Sequence, residues 1–154
     1  MQPPLVLFDL DNTLVDRRGT LAVWAAEFTA QHGLEGEDQA NVLDMVAERA
    51  YPSTFEAIRT RYRLPVSTAQ LWRAYCTDIA ALVTCPAEVL DGLDELCAAG
   101  WRGGMATNGA VDIQRAKLRA TGIAERVDGV FVSEEADARK PQTRQEPSRC
   151  VGPR

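Results

Sequence analysis

One histidine, His32, is all the chain has. That scarcity argues against a Ser-His-Asp or Cys-His nucleophile, because either needs an imidazole base. His32 itself precedes Gly33 at an expected helix end, where it reads as a surface residue or a partner of the helix dipole. Cysteine is sparse and scattered. Cys76, Cys85, Cys97 and Cys150 include no CxxC pair, and no signal segment precedes them, so free thiols are expected. No apolar run approaches the roughly 20 residues that a bilayer span requires. The start of the chain lacks the basic stretch and apolar block of a secretory signal. Positive charge is not in excess either. The net charge is −5 and the pI about 4.9, which attracts neither nucleic acid nor an anionic membrane. A soluble, cytoplasmic chain without nucleic-acid or membrane partners is the expectation.

What is present is ordinary for a globular protein: 45% apolar and 25% charged residues. The 154 residues suffice for one domain, or a core plus a small inserted module. "PLVLFDL" is continuously apolar rather than alternating, the pattern of a strand buried on both faces of a parallel sheet. From about Thr20 to Val83 the spacing is helical. "TLAVWAAEFTAQHG" stops at Gly33, and "EDQANVLDMVAERA" puts Val42, Met45 and Val46 on one face. "STFEAIRTRY" opens with Ser53 and Glu56 at capping-box spacing, and "STAQLWRAYCTDIAALV" with Ser67 and Gln70. These predict four linked helices with Trp24, Phe28, Leu71, Trp72 and Tyr75 in their core.

The pattern then changes to alternating units. "AEVLDGLDELCAAG" reads as a helix, "WRGGMAT" as a strand, "AVDIQRAKLRATG" as a helix and "DGVFVS" as a strand. Strand and helix in alternation imply a parallel sheet with right-handed crossovers. The expected fold class is therefore α/β, a Rossmann-like parallel sheet interrupted after its first strand by an α-helical insert. Residues 1–16 and 86–141 make the core, 17–85 the helical cap, and 142–154 a tail expected to be disordered.

In such sheets ligands bind beyond the carboxyl ends of strands. Three polar signals fall there: Asp9 and Asp11 after the first strand, Thr107 and Asn108 after the second, and Lys140 a short loop after the third. Two carboxylates about 4 Å apart repel by roughly 4 kcal/mol at an effective dielectric near 20. A bound cation, a lysine or a proton held on one of them must offset that. Each remedy has a chemical use, since a carboxylate can attack phosphorus, an acid can protonate a leaving oxygen, and a magnesium ion can neutralise phosphoryl charge. An Asx-type turn is the plain alternative for the acid pair. Thr107 and Asn108 offer a hydroxyl, an amide and backbone N–H groups at a helix start, a suitable place for phosphate oxygens, or an ordinary helix cap. Lys140 offers a point charge for phosphate, or a solvated surface lysine.

These stretches, in order, resemble the haloacid dehalogenase-like (HAD) hydrolase superfamily. "FDLDNTL" is similar to its first motif, "TNG" to its second and "ARKP" to its third, and the helical insert is similar to the cap of the phosphoglycolate phosphatase-like branch. The resemblance covers roughly Leu5 to Pro141. It implies hydrolysis of a small phosphorylated metabolite, with Asp9 as nucleophile and magnesium ligand. Asp11 would be the general acid/base, its main-chain carbonyl also facing the metal. Thr107 and Asn108 would hold the phosphoryl group and Lys140 would fix its charge. True dehalogenases of the superfamily lack an acid at the position of Asp11, so phosphate-ester hydrolysis is the implied reaction.

The superfamily's fourth motif, an acidic pair after a further strand, has no counterpart after Pro141, where Glu146 is the one acid. The resemblance therefore implies an incomplete chain, truncated or frameshifted, with weakened magnesium binding and impaired turnover. It also implies that the first strand lies at a sheet edge, apolar and unpaired on one side, inviting self-association. A non-catalytic fragment or binding module is one alternative; a phosphotransferase (mutase) of the same superfamily is another.

Overall fold

The computed structural model describes residues 2–135. Lys140, Pro141, Glu146, Cys150 and the tail 142–154 lie outside the described residues. Three strands form one parallel sheet: β1 (Leu5–Phe8), β2 (Arg102–Thr107) and β3 (Gly129–Val132), in the order β1-β2-β3. Leu5 stands opposite Arg102, and Gly104 opposite Gly129. Four helices intervene after β1: α1 (Arg17–Gln31), α2 (Asp38–Ala47), α3 (Pro52–Tyr62) and α4 (Thr68–Leu82). Helix α5 (Ala87–Ala98) then leads into β2. Helix α6 (Val111–Ala120) and a single 3-10 turn at Ala124–Arg126 lead into β3. The fold is α/β, with an inserted α-helical cap.

The inserted helices pack as their spacing predicts. Trp24, Phe28, Phe55, Trp72 and Tyr75 interlock, with the Trp24 and Tyr75 rings edge to face at 4.9 Å between centroids. This cluster also takes in Ala110 and Ile113 around the start of α6, so the insert rests on the helix that follows β2. The capping box at Ser67 and Gln70 forms: each side chain bonds the other's backbone N–H, at 3.3 and 3.1 Å. The one expected at Ser53 and Glu56 does not. Pro52, which has no N–H to lose, already occupies the first turn, and the Tyr51 N–H donates to Thr54 Oγ1 at 3.1 Å.

A second cluster underlies the sheet. Phe8, Leu10, Met105 and Val130 pack against Leu93 of α5 and Leu118 of α6. The opposite face differs from the expected two-sided burial. Leu5 and Leu7 are 61% and 65% exposed and Phe131 is 44% exposed, because the described helices cover one face only. Leu7 lies across β2, its Cδ2 only 2.5 Å from where a Cβ at position 104 would stand, so Gly104 is what lets it lie there. β1 and β3 are the edge strands among the described residues, and β1 has β2 as its one partner strand. No helix among them is long and apolar enough to cross a membrane.

Candidate active site

The turn after β1 is built around the Leu10 carbonyl, which accepts from the N–H groups of Thr13, Leu14 and Val15 at 3.0–3.3 Å. Leu10, Leu14 and Val15 are buried, and these three apolar anchors hold the intervening polar residues toward the surface. Asn12 completes the turn in the left-handed region at φ 59°, which asparagine tolerates. Asp16 caps α1, accepting from the Gly19 N–H at 2.9 Å. A Cβ at position 19 would come within 2.3 Å of the Asp16 carboxylate, so a larger residue there would make that side chain shift.

Asp9 and Asp11 diverge from this turn. Asp9 accepts a long hydrogen bond from the Thr13 hydroxyl at 3.4 Å. Asp11 turns to α6. Its Oδ1 lies 2.7 Å from Lys117 Nζ, and its Oδ2 accepts from Gln114 Nε2 at 3.0 Å, with Arg17 Nε at 3.8 Å. A lysine does offset the carboxylate charge, and the residue that does so is Lys117. Burial pulls the Lys117 ammonium below the ordinary lysine value; Asp11 opposes that shift, while Arg17 and Arg49 add to it.

Thr107 ends β2 at 1% exposure, its hydroxyl oxygen accepting from Gln114 Nε2 at 2.6 Å. The helix start beyond it is less open than the sequence suggests. The Gly109 N–H donates to the Ser133 hydroxyl at 3.1 Å, and the Val111 N–H to Glu134 Oε2 at 2.6 Å. A carboxylate from the loop after β3 thus caps α6, where an anion is favoured. What remains for a ligand at this strand end is the Thr107 and Asn108 pair that faces the cleft.

That cleft, about 650 Å³, lies between the strand ends and the insert. Asp9, Asp11, Thr107 and Asn108 line one side. Arg17 and Arg18 of α1, with Leu43, Asp44 and Ala47 of α2 and Glu48 and Arg49 just beyond it, line the other. The structure therefore brings four of the sequence-predicted residues to one cavity; the fifth, Lys140, lies outside the described residues. Arg17 ties the two walls together. Its guanidinium donates to the carbonyls of Ala47 and Val46 at 2.5 and 2.9 Å while facing Asp11. Trp24, Phe28, Leu71, Trp72 and Tyr75 do not line this cleft; they pack in the core of the insert.

Gln114, Lys117 and Arg17 are absent from the sequence-based set. A signal for two of them exists. Ile113, Gln114, Lys117 and Leu118 form the buried stripe of α6, and two polar residues within an apolar stripe require partners.

The parallel sheet with its inserted helices and its cleft at the carboxyl strand ends defines an α/β, Rossmann-like fold. Residues 6–145 match the family model of the haloacid dehalogenase-like hydrolases, and the chain belongs to that family. No curated protein sequence matches it. Among solved structures it is similar to YfnB from Bacillus subtilis, bound to magnesium, at TM-score 0.64 and 19% identity, covering 92% of this chain and 68% of that one. It is also similar to CbbY from Rhodobacter sphaeroides in complex with phosphate, at TM-score 0.57 and 20% identity, covering 85% and 64%. A third is a HAD phosphatase from Thermococcus onnurineus, at TM-score 0.58 and 20% identity, covering 92% and 66%. The chain thus spans about two thirds of the length of these relatives.

Proposed function

We propose that the chain is a phosphomonoester hydrolase acting through an aspartyl-phosphate on Asp9. The observation that carries this reading is the convergence of Asp9, Asp11, Thr107 and Asn108, from the ends of two adjacent parallel strands, on one cleft. An Asp9 oxygen attacks phosphorus, and the bond from phosphorus to the ester oxygen breaks. Asp11, protonated for this step, gives its proton to the leaving alcohol. Water then attacks the phosphorus of the aspartyl-phosphate, Asp11 takes the water's proton, and orthophosphate leaves with Asp9 restored. The 2.7 Å contact with Lys117 Nζ suits a carboxylate that takes up a proton in this second half. Thr107 and Asn108 hold phosphoryl oxygens, and Arg18 and Arg49 bring positive charge to the opposite wall.

Magnesium fits the donor chemistry in a limited way. Among the described residues no three His, Cys, Asp or Glu side chains cluster to hold a metal. The Asp11 carboxylate is engaged by α6, which leaves the Asp9 carboxylate and the Asp11 main-chain carbonyl as the groups that would hold the ion. Magnesium is commonly bound by one or two carboxylates while keeping several waters. When bound, it supplies positive charge against the transferring phosphoryl oxygens. With these few protein donors among the described residues, turnover is expected to be slow. The YfnB structure is bound to magnesium and the CbbY structure is in complex with phosphate, which supports the reading. Lys140 is proposed to contact the phosphoryl group, and a small phosphorylated metabolite is the proposed substrate. The test is acid-quenched chain, digested and mapped by mass spectrometry after exposure to an aryl phosphate and magnesium. A phosphoryl adduct on the peptide containing Asp9 is expected; an adduct elsewhere, or none, overturns the mechanism.

A further inference from the structure

Gln114 and Lys117 lie one turn apart on α6 and face the same way. They are 1% and 4% exposed, and such burial of a lysine is rare unless it is paired. Gln114 Nε2 stands within hydrogen-bond distance of three acceptors: Asp11 Oδ2 at 3.0 Å, Thr107 Oγ1 at 2.6 Å and the Asn108 carbonyl at 2.7 Å. The carboxylate and the carbonyl can only accept, so the nitrogen end of the amide must face them. Gly109 gives it room, since a Cβ there would stand 3.3 Å from the carboxamide.

We propose that Gln114 and Lys117 are positioning residues that lock the Asp11 carboxylate and the Thr107 hydroxyl into one unit. Lys117 holds Asp11 Oδ1 while Gln114 holds Oδ2, so the carboxylate cannot rotate without breaking one contact. One hydrogen of the same amide is shared between the Thr107 oxygen and the Asn108 carbonyl, at 2.6 and 2.7 Å, which leaves the Thr107 hydrogen to be directed into the cleft that Thr107 lines. One side chain thereby joins the end of the first strand to the end of the second, setting the acid/base group and the phosphoryl-holding hydroxyl at a fixed separation. Neither residue need touch substrate. The chemistry of this proposal rests on the hydrolase reading above; the geometry does not.

The test has two parts, both on the full chain. In the first, Gln114→Met keeps the length of the side chain and removes its donors. Turnover of an aryl phosphate with magnesium should fall roughly 100-fold, the scale of a misplaced catalytic group. KM should rise as well, because the Thr107 hydroxyl loses its orientation. A purely structural role would reduce the folded fraction and lower the apparent kcat with KM unchanged, and that result overturns the proposal. The rise in KM should vanish when Gln114→Met is combined with Thr107→Val; full additivity also overturns it. The second part does not need activity. The side-chain amide signals of Gln114 in nuclear magnetic resonance should shift in Asp11→Asn and, separately, in Thr107→Val. A shift in only one variant, or in neither, overturns the joining of the two strands. A wild-type chain without turnover contradicts the hydrolase reading, and the amide signals then decide the pairing alone.

Discussion

Lys117 Nζ lies 2.7 Å from Asp11 Oδ1 across 106 residues of chain, and the two members of this ion pair are unequally buried. The Lys117 side chain is 6% exposed and that of Asp11 is 20% exposed. Removing the acid strands a buried cation, whereas removing the lysine leaves Asp11 with Gln114, Arg17 and some water. Asp11→Ala should therefore cost about 3–5 kcal/mol of stability, the range for breaking a buried pair, and Lys117→Met clearly less. Urea denaturation measures both. The reverse order would show that Lys117 does not depend on Asp11.

The aromatic core of the insert should respond strongly to truncation. Phe55 is fully buried, with ring centroids 6.0, 5.8 and 4.9 Å from those of Trp24, Trp72 and Tyr75. Phe55→Ala removes contact with all three and leaves a cavity, at a cost of about 3–5 kcal/mol. Denaturant titration monitored by tryptophan fluorescence reports it. A loss under about 1 kcal/mol would mean that the ring lies outside a close-packed core.

Thiol chemistry gives a pH-dependent check. Burial pushes the Cys76 thiol up to about 12, with Asp112 adding to the rise and Lys117 opposing it. Burial raises the Cys85 thiol as well. Cys97 is exposed. Alkylation at pH 8 followed by peptide mapping should label Cys97 well before Cys76, because the thiolate is the nucleophile. The linkage has a definite sign. The unfolded chain releases the Cys76 proton near 9 while the folded chain keeps it to about 12, so this contribution to stability is complete below pH 9 and is lost as pH rises through about 12. Cys76→Ala should flatten that decline.

The sheet face that no described helix covers predicts association. Leu5 and Leu7 sit on edge strand β1, more than half exposed, beside an edge with no partner strand among the described residues. Apolar edges of this kind invite pairing with another chain, and a lysine on the edge discourages it. Sedimentation velocity should show concentration-dependent self-association that Leu7→Lys reduces. Unchanged association in that variant would place the contact elsewhere.

How legible all this was in the sequence depends on the range of the interaction. Helices α1 to α6 follow from apolar spacing, and the Ser67 and Gln70 cap from a local pattern, because both are decided within a few residues. Asp9, Asp11, Thr107 and Asn108 could be placed together because strand ends of a parallel sheet share one side. Ser53 and Glu56 do not cap α3 because Pro52 moves the helix start two positions earlier, to an N-cap at Tyr51. Gln114 and Lys117 were missed for a different reason: their partner Asp11 is more than 100 residues away, and only the tertiary approach of α6 to the first turn supplies it. The capping of α6 by Glu134 is likewise a contact between a helix start and a distant loop, with no local signature.

The central claim is that the Asp9 carboxylate attacks phosphorus. Steady-state release of orthophosphate from an aryl phosphate, measured with magnesium for the wild-type chain and for Asp9→Asn side by side, tests it most directly. The account predicts slow but saturable release by the wild type and none above background by Asp9→Asn. Equal rates in the two proteins, or no release by the wild type at any magnesium concentration, would contradict it.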